Sequence, residues 1–502
     1  MLVKVNTGNV LGVDAYRVVV EVDASRGGMP GYNLVGMPST RVTEGKVRVR
    51  AAILNSGFKL ESRRVTMNLA PAELRKDTAA FDLPIALGIL GAYEVLPPEA
   101  FAGRLAMGEL ALDGVVRRVN GVLPVADLAR RLGMRELLVP QACAEEAAVV
   151  SGLQVRAANS LGEVVRHLSG EEEIPLFEPS PEPPPADNGV VDLANVKGQI
   201  GPKRALEIAA AGGHNLLLVG PPGSGKSMLA RRLPTILPPL SFEEALEVTR
   251  VYSVTGLLGT TGLMRQRPFR APHHTVSQAG LVGGGPGPRP GELSLAHHGV
   301  LFLDELLEFQ RPTLEALRQP LEDRRITITR VRASVDFPAD VQLVAAMNPC
   351  PCGHHGDPRR TCTCSNLAIE RYWSRLSGPL MDRIDLLLDV PPVSFDEMTG
   401  ATTGERSAQV RSRVIAARRR QEDRPGPGRS NARLEPDQLE RDCAIDAGGH
   451  RLLETAVERL GLSARAMQRV VKVARTIADL AGAADIAPTH VAEAIAYRRL
   501  VR

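Results

Sequence analysis

The chain has 502 residues, of which 44% are hydrophobic and 24% charged, a composition typical of a folded protein of roughly two to four domains. A formal net charge of +4 does not by itself indicate a nucleic-acid partner, and an aromatic content of 3% argues against binding dominated by base stacking. No apolar run is long enough to cross a membrane, and the first residues lack the apolar core of a signal peptide. We therefore expect a cytoplasmic protein without a membrane partner.

A segment rich in proline and acidic residues divides the chain. Residues 171–189 predict an extended, semi-rigid linker. Residues 1–170 combine strand-like runs with a buried-helix pattern, which predicts a separate α/β domain. Short apolar runs alternate with helical patterns in residues 190–393, as expected for a mostly parallel sheet covered on both faces. Residues 394–502 predict a small all-helical domain, so the expected fold class is α/β with a helical C-terminal domain.

A glycine-rich loop follows the apolar run Asn215-Leu-Leu-Leu-Val219 and precedes a helical pattern. A strand, a Gly-x4-Gly-Lys-Ser loop and a helix together predict a phosphate cradle for a nucleoside triphosphate. Lys226 should reach the terminal phosphates, and the Ser227 hydroxyl should bind Mg²⁺. The predicted nucleotide-binding residues of the loop are Gly220, Pro221, Pro222, Gly223, Ser224, Gly225, Lys226 and Ser227.

An acidic pair ends the next predicted strand, in Gly299-Val-Leu-Phe-Leu-Asp304-Glu305. Open α/β sheets place their ligands at the carboxyl ends of strands, where these two carboxylates should lie. Asp304 is predicted to bind Mg²⁺, and Glu305 to polarise the water that attacks the γ-phosphate. The distance along the chain from Lys226 exceeds what one β-α-β unit needs, which predicts an insertion at Val254–Glu292.

Three further polar residues lie where they could act on the phosphates. Asn348 ends a predicted strand and could orient the attacking water or sense the γ-phosphate. Arg383 could project to a neighbouring subunit and stabilise transition-state charge there, or could form an ion pair with Asp382 or Asp385. Arg465 opens a C-terminal helix and could close over the γ-phosphate.

Four of the six cysteines are clustered in two C-x-C pairs, at Cys350, Cys352, Cys362 and Cys364. In a cytoplasmic protein this pattern resembles a tetrahedral thiolate site for structural Zn²⁺. His354 and His355 are alternative ligands. Free thiols and, less readily, disulfides remain the other interpretations.

Together the glycine loop, the acidic pair, Asn348, Arg383 and Arg465 resemble the Walker A, Walker B, sensor 1, arginine finger and sensor 2 elements of an AAA+ ATPase. The sequences Arg267-Pro-Phe-Arg-Ala-Pro-His-His274 and Ala345-Ala-Met-Asn-Pro-Cys-Pro-Cys-Gly353 are similar to those of the magnesium-chelatase-like branch. The segments Leu69-Ala-Pro-Ala-Glu-Leu-Arg75 and Ala80-Phe-Asp-Leu-Pro-Ile-Ala86 extend the likeness into the N-terminal domain. The chain thus resembles the YifB/ComM family throughout. The resemblance implies a homo-hexameric DNA motor that promotes branch migration during natural transformation.

The same branch implies an insert in the second helix and a β-hairpin before the sensor 1 strand. Alternating apolar and polar residues in Arg325–Phe337 are typical of such a hairpin. Arg330 and Arg332 lie near its tip and could contact the backbone of single-stranded or branched DNA, or could be solvated arginines of an ordinary hairpin. Arginines are also dense in Arg411–Arg420, either as a solvated helix face or as a phosphate-binding patch.

The N-terminal domain resembles the Lon-protease-like fold, also known as ribosomal S5 domain 2-like. Asp82 stands about where the catalytic serine of that family should be, and Ala129 about where its lysine should be. A Ser–Lys dyad requires a hydroxyl and an amine. The sequence therefore predicts a domain without proteolytic activity, serving as a structural or DNA-engaging collar.

Two functions of different class share these features. The first is an ATPase coupled to DNA translocation, namely a branch-migration helicase. The second is a chelatase-type chaperone that remodels a protein partner or promotes metal insertion. The arginine hairpin and the Arg411–Arg420 run favour the first, since the ATP site is common to both.

Overall fold

A computed structural model describes residues 1–25, 29–180, 191–285, 287–330, 333–394, 396–397, 404–426 and 430–498. Their contacts divide the chain into two compact units. The first unit comprises Met1–Pro184, Phe242–Met264 and Val331–Asp336. The second comprises Pro185–Ser241, Arg265–Arg330 and Phe337–Arg502.

The first unit is built on a mixed seven-stranded sheet in the order β3-β4-β2-β1-β5-β8-β9. Strand β1 pairs antiparallel with β2 and β2 with β4, whereas the pairs β3–β4, β1–β5, β5–β8 and β8–β9 are parallel. A short antiparallel pair, β6 and β7, lies apart from this sheet. The strands are β1 (Leu2–Leu11), β2 (Asp14–Ser25), β3 (Gly31–Val35), β4 (Arg64–Ala70), β5 (Arg104–Ala106), β6 (Glu109–Leu110), β7 (Val116–Arg117), β8 (Glu136–Pro140) and β9 (Gln154–Ala158).

Helices cover this sheet, and the helix Asp82–Ala92 is buried at every position. A helix that is apolar all round must lie inside a core, which explains why its sequence shows no amphipathic pattern. The α-helices of the unit are Thr40–Asn55, Asp82–Ala92, Val122–Arg131, Ala144–Ala148, Leu161–Ser169 and Phe242–Thr255, with 3₁₀ turns at Ala79–Phe81, Pro98–Phe101 and Gln141–Cys143.

Residues 171–180, which the sequence assigned to an extended linker, lie against the first unit. Ile174 is 3% exposed, and its amide donates to Nδ1 of His167 at 3.2 Å. The Phe177 amide donates to the Val155 carbonyl at 2.9 Å. The apolar residues between the acidic ones therefore bind this segment to the domain.

The second unit is built on a five-stranded parallel sheet in the order β11-β12-β15-β10-β16. Its strands are β10 (Leu216–Val219), β11 (Phe269–Arg270), β12 (Val300–Leu303), β15 (Gln342–Met347) and β16 (Leu386–Asp389). Three of these strands are buried at every position, as is typical of a parallel sheet covered on both faces. Outside the sheets of both units, β13 (Arg325–Arg330) pairs with β14 (Ala333–Pro338) in a two-stranded sheet of its own.

The predicted insertion is divided between the units. Residues up to Met264 belong to the first unit. Phe269–Arg270, however, is the edge strand of the parallel sheet and pairs with β12. This strand is only two residues long, so its sequence carries no alternating pattern.

Helices surround the parallel sheet and form the C-terminal part of the second unit. One apolar core joins β10, β12, β15 and β16 to the C-terminal helices through residues such as Val414 and Ile477. The α-helices of the unit are Ile200–Gly212, Lys226–Ala230, Leu233–Ile236, Gln278–Val282, Glu292–Leu295, Arg311–Glu315, Arg318–Asp323, Asn366–Trp373, Gly378–Met381, Ser407–Glu422, Pro436–Asp442, Ala447–Leu460, Ala464–Ala481 and Pro488–Ala496, with 3₁₀ turns at Leu193–Asn195, Leu306–Glu308 and Asn431–Arg433. Among the helices of the described residues, none combines the length and apolar character that crossing a membrane requires.

Candidate nucleotide-binding site

The sheet of the second unit brings the predicted site residues to one edge. Strand β10 lies between β15 and β16, and its last residue Val219 aligns with Met347 of β15. Leu303, the last residue of β12, aligns with Ala345 of β15. Since all these strands are parallel, the glycine loop, Asp304 and Asn348 leave the sheet at the same carboxyl edge.

Lys226 lies at the centre of this edge. Its Nζ donates to the carbonyl oxygens of Gly220 at 2.6 Å and Pro221 at 2.9 Å, and to Oδ1 of Asn348 at 3.3 Å. The side chain is 8% exposed, and burial lowers the pKa of the ammonium, opposed by the charges of Asp304 and Glu305. A buried ammonium that donates only to neutral oxygens is suited to bind an anion.

The loop around Lys226 turns at glycines in the left-handed region, Gly223 with φ 77° and Gly225 with φ 90°. At Gly220 a Cβ atom would lie 2.3 Å from the carbonyl oxygen of Val390, so the close approach of β16 requires glycine. Pro222 and Gly223 are exposed, whereas the Ser224 side chain is fully buried and cannot present its hydroxyl to a ligand. This turn suits a backbone cradle for phosphates.

Ser227 and the acidic pair lie together. The Ser227 Oγ donates to Oδ2 of Asp304 at 2.5 Å, and Oδ1 of Asp304 accepts the Glu305 amide at 2.9 Å. Hydroxyl and carboxylate oxygens are the ligands that Mg²⁺ prefers, so Ser227 and Asp304 fit the predicted ion. Bound there, Mg²⁺ would neutralise phosphate charge.

Glu305 is 60% exposed and adopts a left-handed backbone conformation with φ 51°. Its Oε2 lies 3.5 Å from Nδ1 of His274, whose ring is edge-on to Phe309. His274 belongs to the segment Arg267–His274, which resembles the magnesium-chelatase-like branch, but the sequence alone predicted no role for it. The strand β11, which ends four residues earlier, is the signal that would have placed His274 at this edge.

The two predicted arginines lie apart from these contacts. Arg383 donates to the carbonyls of Arg318 at 2.7 Å and Pro379 at 2.8 Å, and its guanidinium forms an ion pair with Glu322. Neither Asp382 nor Asp385 is its partner among the described residues. Arg465 is exposed in the first turn of the helix Ala464–Ala481 and contacts none of the described site residues through a hydrogen bond or ion pair.

Asp385 instead binds Arg469. The Arg469 Nη1 lies 2.6 Å from Oδ1 of Asp385, and the Asn215 amide donates to Oδ2 at 2.9 Å. Burial alone would raise the pKa of this carboxyl, but His214 and Arg469 hold it well below its usual range. This pair links the helix Ala464–Ala481 to the residue before β16, and the Asn215 amide connects Asp385 to the start of β10, the strand that leads into the glycine loop.

The structure brings together the cysteine cluster, which is Cys350, Cys352, Cys362 and Cys364. The four Sγ atoms lie within 4.8 Å of one another, and none of the four forms a disulfide. His354 and His355 are not part of this group of atoms.

The structure describes neither of the two arginine side chains that are predicted to contact DNA. Arg330 is the last residue of β13, but nothing of its side chain is described, and Arg332 lies outside the described residues. Within the Arg411–Arg420 run, several guanidinium groups bind inside the second unit. Arg413 pairs with Glu207 at 2.6 Å, Arg418 donates to Ala210 O at 2.9 Å, and Arg420 donates to Asp479 O at 2.9 Å. Much of this run is therefore structural.

In the first unit, Asp82 is 1% exposed and pairs with Arg48 at 3.0 Å. Burial raises the pKa of its carboxyl to about 6, opposed by Arg48. Ala129 is fully buried within the helix Val122–Arg131. Neither position offers the hydroxyl or the amine of a proteolytic dyad.

Known families and proteins match this chain along its length. The family model for magnesium chelatase, subunit ChlI, matches residues 192–398, the model for subunit ChlI of Mg-chelatase matches residues 20–143, and the model for the C-terminal region of ChlI matches residues 404–498. Competence protein ComM of Haemophilus influenzae is 47% identical over 498 residues, covering 98% of this chain and 96% of that protein. The protein YifB of Salmonella typhimurium is 46% identical over 501 residues, covering 99% and 97%. The DNA replication licensing factor Mcm2 of Drosophila melanogaster is 26% identical over 251 residues, covering 47% of this chain and 25% of that protein.

Proposed function

The chain belongs to the magnesium-chelatase-like YifB/ComM family of AAA+ ATPases, and from this membership we propose that it is a hexameric, ATP-hydrolysing DNA motor acting as a branch-migration helicase in natural transformation. We also propose that it acts in the cytoplasm. The proposed domains are a Lon-protease-like collar at 1–170, against which residues 171–180 of the predicted 171–189 linker pack, an AAA+ domain at 190–393 and a helical lid at 394–502.

One observation carries the ATPase part of the proposal. The Lys226 ammonium, the Asn348 amide and the Ser227–Asp304 pair meet at one edge of the sheet. There, Lys226 can exchange its carbonyl partners for the β- and γ-phosphates, and Asn348 can hold the attacking water. Glu305 is the exposed carboxylate that can take a proton from that water.

The DNA part rests on the relatives and on the hairpin. One relative is named for competence and another for licensing DNA replication. The strands β13 and β14 fit the hairpin that the family resemblance implied. Arg330 and Arg332 are proposed to reach the phosphate backbone from its tip, within the pore of a ring.

We predict that Arg330→Ala with Arg332→Ala weakens DNA binding and flattens its salt dependence. Each lost phosphate contact should lower the slope of log K against log salt by about 0.7 to 0.9. Binding to a labelled fork and the ATPase rate with and without forked DNA measure this effect. Arg325→Ala, on the exposed start of β13, is the matched control and should leave the slope unchanged. Equal slopes for the wild type and the double variant would remove the hairpin from the DNA-binding surface.

A chelatase-type chaperone remains the second candidate, favoured by the internal ion pairs of the Arg411–Arg420 run and by the magnesium chelatase family models. An ATPase rate that single-stranded and forked DNA leave unchanged, together with no binding at low salt, would favour this function. Stimulation by a protein partner would then be the next measurement.

A further inference from the structure

The cysteine cluster has the geometry of a metal site. The Sγ of Cys350 lies 3.4 Å from that of Cys352 and 3.7 Å from that of Cys362, and the Sγ atoms of Cys352 and Cys362 are 3.6 Å apart. Four thiolates at about 2.3 Å from a tetrahedral Zn²⁺ would be separated by about 3.8 Å. The Sγ of Cys364 also lies within 4.8 Å of the other three, so the four sulfur atoms are placed around a common centre.

Backbone amides point at three of these sulfur atoms. The His355 amide donates to Cys350 Sγ at 3.3 Å, the Cys364 amide to Cys362 Sγ at 3.4 Å, and the Cys352 amide to Cys364 Sγ at 3.4 Å. Such hydrogen bonds orient metal-bound thiolates and stabilise their charge.

The nearby histidines do not complete the set. Nδ1 of His354 lies 3.5 Å from Oδ2 of Asp357, and neither His354 nor His355 belongs to the group of ligand atoms that lie within 4.8 Å of one another. Four cysteines without a position for water are typical of a closed, structural zinc site, whereas catalytic sites keep one position open.

The cluster is joined directly to the ATP site. Cys350 is two residues after Asn348, whose Oδ1 accepts from Lys226. Gly353 follows Cys352 with φ 83°, and a Cβ there would lie 2.8 Å from the Pro222 ring of the glycine loop and 3.9 Å from Cγ of Asn348. The loop that carries Cys350 and Cys352 therefore packs against the glycine loop and against Asn348, the two parts of the site that are proposed to contact the nucleotide.

A tryptophan completes this connection. Trp373, the single tryptophan of the chain, donates from Nε1 to the Pro349 carbonyl at 3.0 Å. Pro349 lies between Asn348 and Cys350, so the indole reports on the backbone that joins the cluster to the ATP site.

We propose that the cysteine cluster binds one Zn²⁺ in a closed tetrahedral site, and that this metal positions Asn348 and the glycine loop for ATP hydrolysis. Binding releases the remaining thiol protons to solvent and leaves the metal oxidation state unchanged. The positioning role rests on the ATPase part of the proposed function and is independent of whether the motor acts on DNA.

Metal analysis of the purified full-length protein tests the binding. We expect about one equivalent of zinc per chain, and loss of that zinc in Cys362→Ser with Cys364→Ser. Co²⁺ added to the chelator-treated protein should give the intense visible bands of tetrahedral thiolate coordination and change the Trp373 fluorescence. Cys443→Ala removes a lone buried cysteine and should keep the metal. Less than about half an equivalent, with no cobalt bands, would overturn the site.

The positioning role has its own readout. The serine double variant should lower kcat for ATP about tenfold or more and change nucleotide affinity much less. Cys364→His keeps a zinc-binding nitrogen and should recover metal and turnover together. If the double variant does not fold, removing zinc from the wild type with a chelator and adding Zn²⁺ back should lose and regain the same rate. If zinc is lost and kcat does not change, the positioning role is wrong, but the proposal that the cluster binds zinc still holds. A protein that binds zinc and never hydrolyses ATP would instead contradict the proposed function.

Discussion

Glu305 occupies a backbone conformation that side-chain-bearing residues rarely adopt. Its φ of 51° costs about 1–2 kcal/mol relative to an ordinary conformation. The hydrogen bond from its amide to Asp304 Oδ1, at 2.9 Å, holds the turn in place. Strain of this kind persists mainly at functional positions, which agrees with the role proposed for the exposed Glu305 carboxylate.

We predict that Glu305→Gln keeps nucleotide binding and lowers the hydrolysis rate by about 10²- to 10⁴-fold, because the amide cannot take a proton from water. Equilibrium binding of a fluorescent nucleotide and steady-state phosphate release separate the two effects. Glu308→Gln is the matched control, since Glu308 is an exposed carboxylate near Glu305 in the chain and forms a surface ion pair with Arg375 at 3.7 Å. Hydrolysis retained in Glu305→Gln would assign the proton acceptor to another residue.

The site residues that a short contiguous pattern predicts are the ones that lie together in the structure. The loop from Gly220 to Ser227 and the pair Asp304–Glu305 each follow a strand, so the parallel sheet brings them together. The position of His274 was missed because the strand that precedes it, β11, has only two residues. The Glu322 partner of Arg383 was also missed, since it comes from a helix more than sixty positions away in the chain.

At the scale of elements, a buried ionic network stabilises the C-terminal helices. Asp479 is fully buried and accepts from Arg475 Nε at 3.1 Å and from Asn431 Nδ2 at 2.7 Å, and it also pairs with Arg424. Arg475 is 2% exposed. The network ties the helix Ala464–Ala481 to the segments before it.

Asp479→Ala should lower the free energy of unfolding of the second unit by about 3–5 kcal/mol, because it leaves the Arg475 guanidinium buried without a counter-charge. Urea denaturation followed by circular dichroism measures this change. Asp485→Ala removes an exposed carboxylate four residues beyond the helix and should alter stability by less than about 0.5 kcal/mol. Equal midpoints for the two variants would mean that the network contributes little.

Strands and helices could be predicted from the sequence where their buried apolar residues recur at regular spacing. The apolar runs that became β10, β12, β15 and β16, and the last two helices, follow from patterns within a few residues. Two segments pack against the fold although the sequence predicted them to be exposed, and the reason is the same for both: residues 171–180 and Arg411–Arg420. Their composition is that of solvent-exposed segments, and only distant partners such as Val155 and Glu207 bind them to the fold.

At the scale of the whole molecule, the ATP site has no second cationic side chain opposite Lys226 in the contacts that the structure describes within one chain. Arg383 is bound to Glu322 and to two carbonyls, so it does not reach the site residues of the same chain. In the proposed ring, this guanidinium would instead serve the site of the neighbouring subunit. Alternatively, the Arg383–Glu322 pair only stabilises the fold, and the two possibilities predict different behaviour of mixed assemblies.

We predict that Arg383→Ala keeps nucleotide binding and lowers hydrolysis about a thousandfold or more. Mixing it with Lys226→Ala, which is inactive for a different reason, should restore hydrolysis, because about a quarter of the interfaces in a randomly mixed ring pair an intact loop with an intact arginine. Mixing Lys226→Ala with Asp304→Asn is the control, since both residues lie on the same side of the site and no intact interface forms. If Arg383 is purely structural, mixing restores nothing, and Glu322→Gln lowers hydrolysis as much as Arg383→Ala does.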